Sequence, residues 1–146
     1  MTIEADPIEL MKKSKSIAVV GVSARPNRPS YEVAEYLIDV GYEVFLVNPR
    51  ETEILGRRVY DSISSLPKKV DIVDIFRKAS DVPPVVEDAI RAGAGAIWMQ
   101  LDIVNEAAAN EAASAGLEVV MDRCTKIEHK KIVDAEQPEC SGPGIT

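Results

Sequence analysis

Residues 17–48 read IAVVGVSARPNRPSYEVAEYLIDVGYEVFLVN. Two short β-branched runs, Ile17–Val22 and Glu43–Asn48, flank a stretch in which Val33, Ala34, Leu37 and Ile38 recur at helical spacing. The runs are apolar throughout rather than alternating, the pattern of strands buried on both faces of a parallel sheet. Gly41 stands where the helix Ser30–Val40 must end, and Pro49 stops the second run. The stretch is a strand–helix–strand unit.

The same grammar continues to the C-terminal side. Asp71–Phe76 (DIVDIF), Ala96–Met99 (AIWM) and Glu118–Met121 (EVVM) read as further buried strands, with Val59-Tyr60 as a minor edge piece. Between them, Val82–Ala92 places Val85, Val86, Ala89 and Ile90 on one helical face, with Pro83 and Pro84 in its first turn and Gly93 after it. Val104–Ala115 is alanine-rich and ends at Gly116. Short helices are expected near 7–14 and 127–136. The loose recurrence of AGAGAIW and AGLEVV is strand–helix grammar, not a solenoid repeat. Strand then helix, repeated, predicts an α/β fold: a mostly parallel sheet covered by helices on both faces. The length of 146 residues fits one domain, which at this size buries roughly 70% of its unfolded surface. Residues 137–146 read as a loose tail.

Charge and composition narrow the partners. A formal net charge of -7 argues against nucleic acid, whose binding requires a basic face, and against an anionic membrane surface. The opening MTIEADP has no signal-peptide pattern, and no apolar run approaches the roughly 18 residues of a membrane span. Cys124 and Cys140 form no disulfide framework, so a reducing cytoplasm is the expected compartment.

In an open α/β sheet, ligands bind beyond the carboxyl ends of the strands. Ser23, Arg25 and Arg28 follow the first strand; Asn48, Pro49 and Arg50 follow the second. Arg77 and Lys78 follow the third beside Phe76, Gln100 follows the fourth beside Trp98, and Asp122, Arg123 and Cys124 follow the last. Arginines gathered on one rim of an acidic protein suit an anion, because the guanidinium fork matches phosphate oxygens. Taken singly, each is also an ordinary solvated loop residue. Gly21-Val22-Ser23 closes a buried strand ahead of a helix, a turn that offers backbone N–H groups to a pyrophosphate. The G-x-G-x-x-G fingerprint is absent. No acid ends the second strand, where a dinucleotide fold holds the ribose diol. Val47-Asn48-Pro49-Arg50 suits a phosphorylated ribose, which both NADP and coenzyme A carry.

Five stretches then carry a family resemblance: IAVVGVSARPNRPSYEVAEYL, GYEVFLVNPRETEILGRRVYDSISSLP, VDIVDIFRKASDVPPVVEDAI, AIWMQLDIVNEAAANEAASAGLEVVMDRC and KIEH. In this order, from about residue 15 to about residue 130, they resemble the small CoA-binding proteins of the Rossmann-like CoA-binding family. They are also similar to the CoA-binding domain of the succinyl-CoA ligase α-subunit and of ADP-forming acyl-CoA synthetases. Those enzymes add further domains, one with a phosphorylated histidine, and no such domain is expected in this chain. The resemblance implies a Rossmann-like three-layer sandwich that binds coenzyme A or an acyl-CoA at the strand ends without catalysis of its own. It implies that Gly21, Val22, Ser23, Arg28, Ser30 and Tyr31 form the pyrophosphate turn, and that Asn48, Pro49 and Arg50 lie near the adenosine ribose. Phe76, Arg77 and Lys78 would form the facing wall. Trp98 and Gln100 would line the next lip, and Arg123 and Cys124 the last. One departure is QLDI, where relatives commonly carry glycine at the position of Asp102.

Two other functions remain open on the sequence. One is an NADP-dependent reductase on the same rim, opposed by the missing fingerprint and by the lack of structure to hold a second reactant. The other is a CoA-linked redox or regulatory partner protein, in which Cys124 exchanges with the CoA thiol. Read blandly, Cys124 is a small, half-buried residue at a strand end. His129 and the run Lys126–Lys131 read as a solvated helix face, and one histidine with two scattered cysteines makes no metal site. Asp71 and Asp74, three apart on a strand, face opposite ways and form no catalytic pair; Asp74 is expected to be buried with a hydrogen-bond partner.

Overall fold

A computed structural model describes residues 3–136. The tail at 137–146, with Cys140, lies outside the described residues. Seven strands form one sheet in the order β3-β4-β2-β1-β5-β6-β7. They are β1 (Ser16–Val20), β2 (Glu43–Val47), β3 (Glu53–Ile54), β4 (Arg57–Tyr60), β5 (Ile72–Ile75), β6 (Ala96–Met99) and β7 (Glu118–Val120). All neighbouring pairs are parallel except the short β3–β4 hairpin. With β4 counted as third, the parallel strands follow the doubly wound order 3-2-1-4-5-6, whose direction reverses between β1 and β5. The expected edge piece at Val59-Tyr60 is β4. The expected strands are all present: β6 spans the expected residues, β2, β5 and β7 are trimmed by a residue at one or both ends, β1 runs from Ser16 to Val20, and β4 is two residues longer than the expected edge piece.

Five helices complete the layers: α1 (Pro7–Lys13), α2 (Pro29–Asp39), α3 (Val82–Arg91), α4 (Glu106–Ser114) and α5 (Thr125–Glu136). Alternate strand residues feed two cores. Ile17, Val19, Ile72 and Trp98 pack with Leu10, Leu37 and Ile132 of α1, α2 and α5. Ala18, Val20, Val73 and Ile97 pack with Val86 and Ala109 of α3 and α4. This period-2 division on a sheet buried from both sides is why the strands read as unbroken apolar runs. The helix expected from Val104 starts at Glu106, because the Asn105 side chain caps it by accepting the Ala108 N–H at 3.0 Å.

One sequence expectation is corrected. The run Lys126–Lys131 is not uniformly solvated: Glu128 is 4% exposed. Its carboxylate meets Lys131 Nζ at 3.1 Å and an Arg123 guanidinium nitrogen at 3.7 Å. His129 packs edge-on between the rings of Tyr36 and Tyr42, and its Nδ1 lies 2.7 Å from the Tyr36 hydroxyl.

Candidate ligand-binding site

The reversal of strand order between β1 and β5 opens a crevice at their carboxyl ends, and the first turn is built to approach it closely. Gly21 has φ +89°, and a Cβ placed there would lie 2.3 Å from the Phe76 carbonyl oxygen. Only glycine lets the β1 turn lie against the end of β5. Beyond it, the buried Ser30 hydroxyl accepts the Ser23 N–H at 2.9 Å, and Ser23 Oγ accepts the Arg25 N–H at 3.0 Å. These bonds fold the loop back over the start of α2. Arg28 is the N-cap residue and Pro29 begins the helix, with no side chain capping it. Pro29 carries no N–H, and the Tyr31 and Glu32 N–H groups bond to the Arg28 carbonyl at 3.1 Å, so what α2 offers this loop is the positive pole of its first turn.

The second loop is tied to the first by one amide. Asn48 Nδ2 donates to the Val22 carbonyl at 2.8 Å, and Asn48 Oδ1 accepts the Arg50 N–H at 2.9 Å. Asn48 thus sets where Arg50 leaves β2.

These loops enclose a cleft of about 690 Å³ lined by Gly21, Ser23, Ser30 and Phe76, with Pro29 and Ile103. Five cationic side chains complete its wall: Arg25, Arg28, Arg50, Arg77 and Lys78. None of the five enters an ion pair among the described residues. Among the described residues, no carboxylate, imidazole or thiol lines the cleft. In a chain of net charge -7, this is a concentrated positive site. Its donors fit a polyanion with several phosphate groups, and they offer no acid–base pair.

The structure brings together Gly21, Ser23, Arg28, Ser30, Arg50, Phe76, Arg77 and Lys78 from the sequence-derived set. Arg25, Pro29 and Ile103 line the cleft without having been assigned a role. Arg25 was visible as a cation in the same loop; Ile103 carried only the signal of an apolar residue between a strand and a helix cap. Val22 is fully buried, so its backbone alone faces the turn, and Asn48 acts from behind the wall. Tyr31 packs against the core, and Pro49 borders a smaller neighbouring recess with Arg77.

The β6 and β7 ends differ from a simple lip. Trp98 is fully buried, and its Nε1 donates to the Arg123 carbonyl at 2.7 Å, tying the two strand ends together. Gln100 is 4% exposed and Cys124 is 8% exposed. Thr125 Oγ1 lies 2.9 Å from Asp74 Oδ2 and 3.1 Å from Gln100 Oε1, and Gln100 Oε1 also accepts the Thr125 N–H at 3.1 Å. Asp74 is fully buried on β5; burial pushes its carboxyl up to about 8, partly offset by the Thr125 hydroxyl. Asp71 sits at the other end of the strand, where Oδ2 accepts the Lys15 N–H at 2.7 Å and the Ser16 N–H at 3.2 Å. Asp102, the departure in QLDI, has φ +67°, a left-handed conformation that glycine adopts without strain. The Asp122 carboxylate holds it there by accepting the Asp102 N–H at 2.7 Å.

A second cleft, of about 650 Å³, lies at the opposite end of the sheet beside Tyr42 and His129. Its lysines are interleaved with Glu43 and Glu136, so it lacks the one-signed field of the strand-end site. Among the described residues, no His, Cys, Asp and Glu cluster could hold a metal, and no helix is long and apolar enough to cross a membrane.

Comparison with known proteins places this architecture. The family model of the CoA binding domain matches residues 15–130, and the chain belongs to that family. The chain is 38% identical over 126 residues to the uncharacterized protein YneT of Bacillus subtilis, covering 86% of this chain and 93% of that one. It is also 38% identical over 92 residues to the α-subunit of an ADP-forming acetate–CoA ligase I of Pyrococcus furiosus. That match covers 59% of this chain and 20% of the ligase subunit. A solved structure of a hypothetical protein from Pyrococcus horikoshii superposes with a TM-score of 0.85 at 39% identity, covering 88% of this chain and 90% of that one.

Proposed function

We propose that this chain binds coenzyme A, free or acylated, in the strand-end cleft and performs recognition rather than turnover. One observation carries the reading: five cations that enter no ion pair among the described residues converge there with the N-terminus of α2, and no described acid lines the cleft. Membership in the CoA binding domain family supports the choice of ligand. The lining that the described residues provide, cations with serine hydroxyls and apolar groups, suits holding an anion.

The parts divide by position. The pyrophosphate lies at the Gly21–Ser23 turn and the start of α2, with Arg25 and Arg28 as counter-charges. Arg50, set by Asn48 at the end of β2, takes the 3′-phosphate of the ribose. Arg77 and Lys78 close the cleft from β5. Strands are about 4.8 Å apart, so a pantetheine arm leaving β1 crosses β5 and reaches β6 within about 10 Å. There it meets Ile103, with the exposed apolar side chains of Leu101 and Val104 beyond.

The test is thermal stability with CoA, dephospho-CoA, NADP and NAD side by side. A ligand at 100 times its Kd stabilises by about 2.7 kcal/mol, a shift of several degrees for a domain of this size. CoA is expected to raise Tm most and dephospho-CoA less. A shift with NADP alone would overturn the assignment in favour of a dinucleotide site.

A further inference from the structure

The buried group that ligand binding does not use is Asp74. It lies in the middle of the sheet, between Val19 of β1 and Trp98 of β6, on the face covered by α1, α2 and α5. Three oxygens meet there: Asp74 Oδ2, Thr125 Oγ1 and Gln100 Oε1. The orientation of the Gln100 amide is fixed, because its oxygen receives the Thr125 backbone N–H. The Thr125 hydroxyl thus stands between two acceptors and has one proton to give. Both contacts become hydrogen bonds only if a second proton is present, and the carboxyl is the one group that can carry it. The other oxygen, Asp74 Oδ1, has no hydrogen-bond partner among the described residues. An ionised carboxylate with a buried oxygen that no protein group bonds is far more costly than a neutral acid in the same place.

We infer that Asp74 is held as a neutral carboxylic acid whose O–H donates to Thr125 Oγ1, which in turn donates to Gln100 Oε1, and that this chain positions the β6 lip of the cleft. The link to the lip is short. The Gln100 carbonyl accepts the Ile103 N–H at 3.0 Å, and Ile103 lines the cleft. The same proton chain fixes the first residue of α5 and, through it, the Arg123–Cys124 strand end. Among the described residues, the surroundings offer no counter-charge. The flanking strands β1 and β6 carry no ionisable side chain. On α1 and α2, the buried residues of this core are Leu10, Met11, Val33, Ala34 and Leu37, and the titratable side chains packed against it are the phenols Tyr31 and Tyr36, neither of them a cation. On α5, the carboxylate of Glu128 is held by Lys131 and by Arg123, whose guanidinium is thereby directed to Glu128, and His129 is bonded to Tyr36. Cys124, which precedes Thr125, is 8% exposed and packs in the same core.

The consequence for the cleft rests on the ligand reading above; the protonation does not, and the experiment separates them. Carbon-13 NMR of aspartate carboxyls, with Asp74→Asn to assign the resonance, is expected to show one carboxyl unchanged from pH 5 to 7 and moving near pH 8. A carboxyl at this site that has ionised by pH 6 overturns the inference. Asparagine supplies an N–H in place of the acid O–H, so Asp74→Asn should fold. The raised value means that stability is greatest below the unfolded aspartate value and falls as pH rises toward the folded one. Up to tenfold in the folding equilibrium per pH unit is lost on this account. Asp74→Asn should remove that slope between pH 5 and 8. A variant as pH-dependent as the parent contradicts the proposal. In ligand titrations, CoA affinity of the parent should fall above pH 8 relative to that of Asp74→Asn. Equal pH profiles with the Asp74 carboxyl still moving near pH 8 would leave the neutral acid in place and overturn its link to the lip.

Discussion

The carbonyl oxygen of Phe76 occupies the space that a side chain at Gly21 would need: a Cβ there would stand 2.3 Å away. This contact joins the end of β1 to the end of β5 at the point where strand order reverses, so it sets the width of the crevice in which the cations gather.

Gly21→Ala therefore meets two penalties, a left-handed backbone at φ +89° and a clash with main chain that cannot swing aside. Together they are expected to cost about 2–4 kcal/mol. Urea denaturation should show the loss in midpoint, and any folded fraction should bind CoA more weakly. A variant as stable as the parent would mean that the turn and β5 do not meet in this way.

Arg50 should separate coenzyme A from dephospho-CoA. Hydrogen bonds to a charged phosphate contribute about 1.5–3 kcal/mol, so Arg50→Ala is expected to weaken CoA binding by roughly 10- to 150-fold. Dephospho-CoA should bind the variant and the parent nearly equally. Loss of both ligands to the same degree would move Arg50 from the ribose phosphate to the pyrophosphate. Arg50 makes no ion pair among the described residues, so the melting temperature without ligand should hardly change.

Much of this site was legible because its cations lie in the loops that leave buried strands, and buried parallel strands announce themselves as unbroken apolar runs. Arg28, Arg50 and Arg77 fall on one rim from the sequence alone. Trp98 and Gln100 could not be separated from that rim, since position at a strand end does not say which way a side chain turns. In the fold, Trp98 turns into the core and Gln100 binds Thr125. The hairpin strand β3 is two residues long on the sheet edge and leaves no periodic trace. Glu128 misled because a charged run normally coats a helix, whereas here Lys131 and Arg123 compensate a carboxylate turned inward. Asp102 stood out only as a departure from glycine, and the left-handed backbone held by Asp122 gives its reason.

Asp71 gives a pH test at the far end of the same strand as Asp74, with the opposite sign. The Lys15 N–H bond is the main cause that holds its carboxyl below the usual aspartate range, helped by Ser16 and opposed by burial. A depressed value means that the stabilisation is present above the unfolded value of about 3.9 and is lost as pH falls through the lower folded value. Because the group is exposed, the expected cost of Asp71→Ala at pH 7 is only about 1 kcal/mol. The difference from the parent should vanish in acid. A deficit that persists unchanged at pH 2 would assign the loss to packing instead of to the charged hydrogen bonds.

The most direct measurement of the central claim is a calorimetric titration of coenzyme A into the protein, repeated with Arg28→Ala. The cationic cleft predicts saturable binding of one CoA per chain, weakened at least tenfold in the variant and by rising salt. No heat at millimolar CoA, or binding indifferent to Arg28 and to salt, would contradict the assignment of the strand-end cleft as the CoA site.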